Sequence, residues 1–240
     1  MNAARPAEIL RHLEQSGAAD ADLLARFVAA KDAAAFAELV RRHGPLVYGV
    51  CRRVTGHAQD AEDAFQATFL VLAKKAASLR NSALLGNWLY GVAFRVASRA
   101  RRSAARRRTR EVTVSVLPDP PAAPPPPATP ELAPILDEEL AALPAHYRDA
   151  VVLCDLRGAS REEAAAALGI PEGTLSSRLA AGRKRLAARL TKRGVALPAA
   201  ALPLALAEVQ ATTVVPNDLL VSASGLVADW AAGAAVPGAL

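Results

Sequence analysis

Thr174, Ser177, Arg178, Ala181 and Arg185 fall on one side of a helix when successive residues turn by about 100°, setting short hydroxyls near its start and guanidinium groups further along. Such a face suits the major groove of DNA, where N-terminal side chains approach base edges and arginine reads guanine or neutralises phosphate. Leu175, Leu179, Gly182 and Leu186, spaced four, three and four apart, form the apolar stripe beside it. The plainer reading of the same residues is a basic helical hairpin whose charges only meet water.

A second group lies earlier. Trp88, Arg95, Arg99 and Arg102, at spacings of seven, four and three, share an edge beside the apolar stripe Leu85, Leu89, Val92 and Val96. An aromatic ring can stack on an unpaired base while arginines follow the backbone. Taken alone, Trp88 reads first as a plain core residue. The run Arg101, Arg102, Arg106, Arg107, Arg108 and Arg110 extends this helix as a phosphate-binding, salt-sensitive stretch.

The third group is acidic. Asp60 and Asp63 project away from the core stripe Phe65, Phe69, Leu72, Ala76 and Leu79, with Leu70 and Val71 nearby, so acid and oil mix on an outer face. That combination suits a basic partner helix better than DNA, whose phosphates repel carboxylates. The alternative is that Asp60, Glu62 and Asp63 only favour the positive end of the helix dipole. Enzymatic chemistry has no visible carrier: His12, His43, His57 and His146 form neither a triad nor a metal cluster. Cys51 and Cys154 are far apart in apolar helical patterns and read as two buried thiols of a reducing compartment, not a redox pair or zinc site. No metal, cofactor or small-molecule substrate is expected.

The elements that must position these groups are helices. The 240 residues are 52% hydrophobic but only 4% aromatic, so the core is built from Ala, Leu and Val, and no alternating run of β-branched residues calls for a sheet. The expected fold is all-α, with two helical domains on a proline-rich linker and a C-terminal extension. Helical patterns cover about 5–16, 20–30, 32–54 with a break near Gly44-Pro45, 58–79 and 84–108, then 131–142, 144–156, 160–168 and 171–190. Ser160 and Glu163 form a capping box, Gly169 suits the positive φ that ends a helix, and Pro171 suits the first turn of the next. The domains divide as an N-terminal helix in 1–19, a first domain over 20–110, a linker over 111–134, a second domain over 135–193 and an Ala/Leu-rich extension over 194–240. Eight prolines in 118–130 favour an extended linker, whose thirteen residues reach roughly 40 Å at about 3.1 Å each and hold two heads apart.

Charge follows the same division. Residues 20–110 carry 17 basic and seven acidic side chains, a net of +10, and 143–193 carry ten and five, a net of +5. Between them, 111–142 holds six acids and no base, and 194–240 holds three acids and no base. Two basic blocks across an acidic spacer favour a polyanion touched at two places. Arg5, Glu8, Arg11 and Glu14 leave no apolar core for a signal peptide, and Val195 to Ala207 is short and interrupted by Pro198 and Pro203, so a cytoplasmic protein without membrane insertion is expected.

In this order the motifs resemble the sigma-70 family of RNA polymerase sigma factors, in the compact extracytoplasmic-function (ECF) group, over about 20–110 and 135–190. Residues 60–66, DAEDAFQ, are similar to region 2.2, which implies docking on the β′ clamp of core RNA polymerase by Asp60, Glu62, Asp63 and Gln66. Residues 79–95, LRNSALLGNWLYGVAFR, are similar to regions 2.3 and 2.4, which capture a flipped base and meet the melted strand of the −10 element. The resemblance makes Arg80, Asn81, Ser82, Asn87 and Trp88 candidates there, with Arg95, Arg99 and Arg102 alongside. Residues 142–148, ALPAHYR, with 156–163, LRGASREE, and 173–178, GTLSSR, look like region 4, which reads the −35 element. Thr174, Ser177, Arg178, Arg183 and Arg185 carry that expectation, because Ser176, Ala180 and Ala181 stand where many relatives are basic or larger.

The implied function is to bind core polymerase, recognise the −35 element and melt the −10 element. The implied partners are core RNA polymerase (β′ clamp and β flap), promoter DNA and an anti-sigma factor. A stand-alone helix-turn-helix regulator and a polymerase-binding adaptor that never melts DNA are the alternatives. The extension after 194 exceeds the compact pattern, and a regulatory segment that binds a partner or packs on region 4 is expected there.

Overall fold

A computed structural model of the chain describes residues 19–112, 132–211, 213–231 and 233. The helix expected in 5–16 and the proline-rich stretch 118–130 lie outside the described residues. Ten α-helices and no strand occur among those described. The first four are α1 (Asp20–Ala30), α2 (Ala33–Thr55), α3 (Ala58–Lys75) and α4 (Leu85–Val112), with short 3-10 turns at Ala76–Ser78 and Ser82–Leu84. Then follow α5 (Leu132–Ala141), α6 (Ala145–Val151), a π-helical turn at Val152–Leu156, α7 (Arg161–Leu168), α8 (Glu172–Lys192), α9 (Leu202–Ala211) and α10 (Asn217–Ala231).

Local chemistry sets the boundaries. Asp32 starts α2 by accepting the Ala34 and Ala35 amides at 3.0 Å each. The helix then passes through Pro45 without the expected break. A proline inside a helix costs about 3 kcal/mol, but Phe36, Leu39, Val40, Val47 and Val50 are almost fully buried along both halves, and each such side chain contributes about 1.5–3 kcal/mol. Burial outweighs the lost hydrogen bond. Ser160 and Glu163 make the expected reciprocal cap of α7, and Gly169 ends it at φ 63°.

The first four helices close around an aromatic ladder: Phe27 to Phe36 at 4.6 Å between centroids, Phe36 to Phe69 at 6.3 Å, Phe69 to Phe65 at 5.0 Å and Phe65 to Tyr48 at 5.8 Å. Leu70, expected on the outer face of α3, is buried, while Asp63 is exposed. In the second group α8 packs on α5, α6 and α7. Gly182 permits the close approach of α8 to α6, since a side chain there would meet Val151 Cγ2 at 3.1 Å and the Tyr147 carbonyl at 3.3 Å.

The two groups touch, contrary to the expectation that the linker holds them apart. Arg53 on α2 donates to both carboxylate oxygens of Asp137 on α5, at 2.6 and 3.3 Å, and the Tyr90 hydroxyl adds a third bond at 3.2 Å. A buried carboxylate so surrounded needs its partners, and they come from the other group. Arg101 of α4 reaches Glu138 of α5 at 2.7 Å. The acids of the spacer end thus become the contact between two basic bodies.

Candidate nucleic-acid interface

Helix α4 turns Trp88 and Arg95 toward an open cleft of about 570 Å³, whose other lining residues include Val71, Lys75, Leu79 and Arg80. The half-buried indole packs against the core while one side meets the cleft. Trp88 is thus a residue of the core edge that also lines the cleft. Arg80, Arg95, Arg99 and Arg102 are exposed. Lys75 was not foreseen; its signal is the pair Lys74-Lys75 in the last turn of α3, where cations also favour the helix dipole.

Asn81 and Asn87 sit differently. Asn81 caps the 3-10 turn by accepting the Ala83 amide at 3.1 Å and donates to the Ala167 carbonyl on α7 at 3.2 Å. Asn87 is 8% exposed and donates to the Asp149 carbonyl on α6 at 3.0 Å. Its Oδ1 is buried with no partner among the described residues. Ser82 is half-buried in the same turn. Of the eight residues expected to meet the melted strand, Arg80, Trp88 and Arg95 share one cleft, and Asn81 and Asn87 contact the second group of helices.

On α8 the expected face is partly open. Ser177 is exposed and donates to the Thr174 carbonyl at 2.8 Å, and Thr174 and Arg178 are half-buried. Arg185 lies with its guanidinium 4.9 Å from the centre of the Tyr147 ring. Arg183 faces inward: its Nε donates to Asp155 Oδ2 at 2.9 Å, and that carboxylate is almost wholly buried in the π-helical turn. The side chain braces α8 against 152–156. Asp155 was missed by sequence reading, although a lone acid inside the apolar run VLCDL is a signal for a buried partner.

On α3, Asp63 is exposed and Asp60, Glu62 and Gln66 are half-buried, all within two turns. Gln66 Nε2 donates to Ser222 Oγ of α10 at 2.9 Å. The α10 helix packs on both α2 and α3. The extension therefore lies against the first group of helices as well as against the 152–156 turn, which α9 contacts. Cys51 is buried and unbonded, its thiol pushed up to about 12 by burial; Cys154 is half-buried rather than buried, and burial raises it too. No cluster of metal-ligating side chains occurs among the described residues, and none of their helices is long and apolar enough to cross a membrane.

Two family profiles match the chain: Sigma-70 region 2 over residues 39–107 and Sigma-70 region 4 over residues 134–186. The chain is 35% identical over 169 residues to the ECF RNA polymerase sigma factor SigM of Mycobacterium tuberculosis, covering 70% of this chain and 83% of that one. It is 36% identical over 163 residues to the ECF RNA polymerase sigma factor SigE of Mycolicibacterium smegmatis, covering 65% and 61%. Among solved structures it matches the sigma factor RpoE in complex with the anti-sigma factor NepR from Bartonella quintana, at 29% identity and a TM-score of 0.31, over 64% of this chain and 94% of that one. Residues 187–240 lie outside both profiles. The chain belongs to the sigma-70 family of RNA polymerase sigma factors, in its extracytoplasmic-function group.

Proposed function

We propose that this protein binds core RNA polymerase in the cytoplasm and directs it to promoters, reading a −35 element with α8 and opening a −10 element with α4, while supplying no catalytic group itself. The observation that carries this reading is the cleft on α4, which Trp88 lines together with Arg80, Arg95 and Lys75. A base drawn from the duplex stacks on the indole, and the three cations neutralise the adjoining phosphates. Asp60, Glu62, Asp63 and Gln66 dock on the β′ clamp. Thr174, Ser177 and Arg178 enter the major groove, with Arg185 on the phosphates. Arg183 positions α8 through Asp155. An anti-sigma factor is a further partner.

Asn87 supports a change of arrangement on binding. It is sealed under α6 with its carbonyl oxygen unsatisfied, and a buried acceptor without a partner costs about 1–3 kcal/mol. Separation of the two groups frees Asn81 and Asn87 for the strand. The test is run-off transcription with purified core polymerase and a promoter library. Transcripts from a consistent pair of elements, with no footprint in the absence of polymerase, fit the proposal. A specific footprint by the chain alone fits a stand-alone helix-turn-helix regulator instead, and binding to core without any transcript fits an adaptor.

A further inference from the structure

The extension meets one of the four residues assigned to polymerase docking, Gln66. Leu219, Ala223 and Val227, four residues apart, form a fully buried stripe on α10. Glycine lets the extension approach α2: a side chain at Gly44 would lie 2.9 Å from Leu220 Cδ2 and 3.8 Å from Val215, and one at Gly49 would lie 2.7 Å from Arg53 Nη1 and 2.9 Å from Thr213 Oγ1. The absence of side chains at these two positions leaves room for Thr213, Val215 and Leu220 against α2. Further along α10, the Lys31 ammonium stands 5.6 Å from the Trp230 ring. Ser222 takes the hydrogen bond of Gln66, one of the four residues assigned to polymerase docking.

The segment before α10 reaches the second group of helices. Leu202 and Leu206 are fully buried, and α9 packs on both the 152–156 turn and α2. Arg53, which holds Asp137 across the contact between the two groups, also donates to the Val209 carbonyl at 3.4 Å. The extension therefore touches both halves of the closed chain and the side chain that joins them. With three acids and no base, 194–240 complements the rest of the chain, whose net charge is +9.

We propose that residues 202–231 are an intramolecular competitor of core polymerase: α10 seated on α2 and α3 blocks the docking face at Gln66, α9 keeps the two helical groups together, and polymerase binds only as α10 leaves. This rests on the docking role given to α3. Seating lowers the apparent affinity by the fraction of molecules that are open, so a chain that is about 1–10% open binds about 10–100-fold more weakly than a released one.

The experiment uses the full chain and two seat variants, Leu220→Asp and Ala223→Arg, which leave Asp60, Glu62, Asp63 and Gln66 themselves unchanged. Affinity for core polymerase is measured by fluorescence anisotropy, and backbone amide exchange of 217–231 is followed with and without polymerase. The expected result is slow exchange of α10 in the free wild type, fast exchange once core is bound, and about 10–100-fold tighter binding by both variants. Protection of α10 that persists in the wild-type complex overturns the proposal, as does wild-type affinity in variants whose α10 already exchanges fast. If neither wild type nor variants bind core at all, the docking role of α3 fails and the proposal falls with it, a result distinct from tight binding by every form.

Discussion

Arg178 and Arg183, five positions apart on α8, do different work. Arg183 is held by the buried Asp155 carboxylate, so Arg183→Ala leaves that charge unpaired and should lower stability by on the order of 2–4 kcal/mol in urea unfolding. Arg178→Ala should change stability by no more than about 0.5 kcal/mol and show its effect in DNA binding instead. Equal stabilities for the two variants would contradict the brace. Trp88→Ala should leave core association intact while weakening open-complex formation by about 1–3 kcal/mol, the usual loss for one stacked base; permanganate reactivity of the −10 thymines is the measurement. The helix wheel made both arginines cations of one helix, but only the fold separates them, because the acid that claims Arg183 lies 28 positions away. Trp88 was legible as either core or stacking platform, since a ring at a core edge satisfies both patterns.

Among elements, α1 is tied to α2 by a carboxylate as well as by its buried Leu23, Leu24 and Phe27. Asp20 meets Arg42 at 2.7 Å and His43 at 2.8 Å on α2. Burial alone would raise its pKa, but hydrogen bonds and charge from His43 and Arg42 outweigh this and hold it below its ordinary 3.8. A carboxyl depressed in the folded state contributes stability that is present above 3.8 and lost as pH falls through its lower folded value. Asp20→Asn should therefore be less stable than wild type at neutral pH and lose less on acidification below 3.8; urea midpoints at the two pH values test this, and parallel losses would count against the tie. The helices of 20–192 were legible to within a few residues, because caps such as Ser160 with Glu163 act locally, whereas α9 and α10 were not foreseen. The break expected at Pro45 was not formed: local propensity said stop, and burial along α2, which no local window sees, said continue.

At the scale of the whole molecule, the alternation of basic and acidic blocks was plain in the sequence, yet its consequence was misjudged. The reach of roughly 40 Å expected from the proline-rich composition permits separation without requiring it, and Asp137 favours contact by bonding Arg53 and Tyr90. Burial lifts the Asp137 carboxyl above its usual range against the pull of Arg53. Asp137→Lys, which places a cation against Arg53, should open the molecule and increase its radius of gyration in small-angle scattering; an unchanged radius would show that other contacts suffice. The seat of α10 was hidden for a similar reason: Gly44 read only as part of a break in the helix until Leu220, which packs on it, is in place.

Run-off transcription with core polymerase, comparing wild type with Asp63→Ala, bears most directly on the central claim that an acidic face of α3 joins two promoter-reading surfaces to the polymerase. Wild type should yield a discrete transcript that core alone does not make, and Asp63→Ala should lose both association and transcript while its circular dichroism is unchanged. Undiminished association and transcription by Asp63→Ala, or no transcript from wild type on any template in the library, would contradict the account.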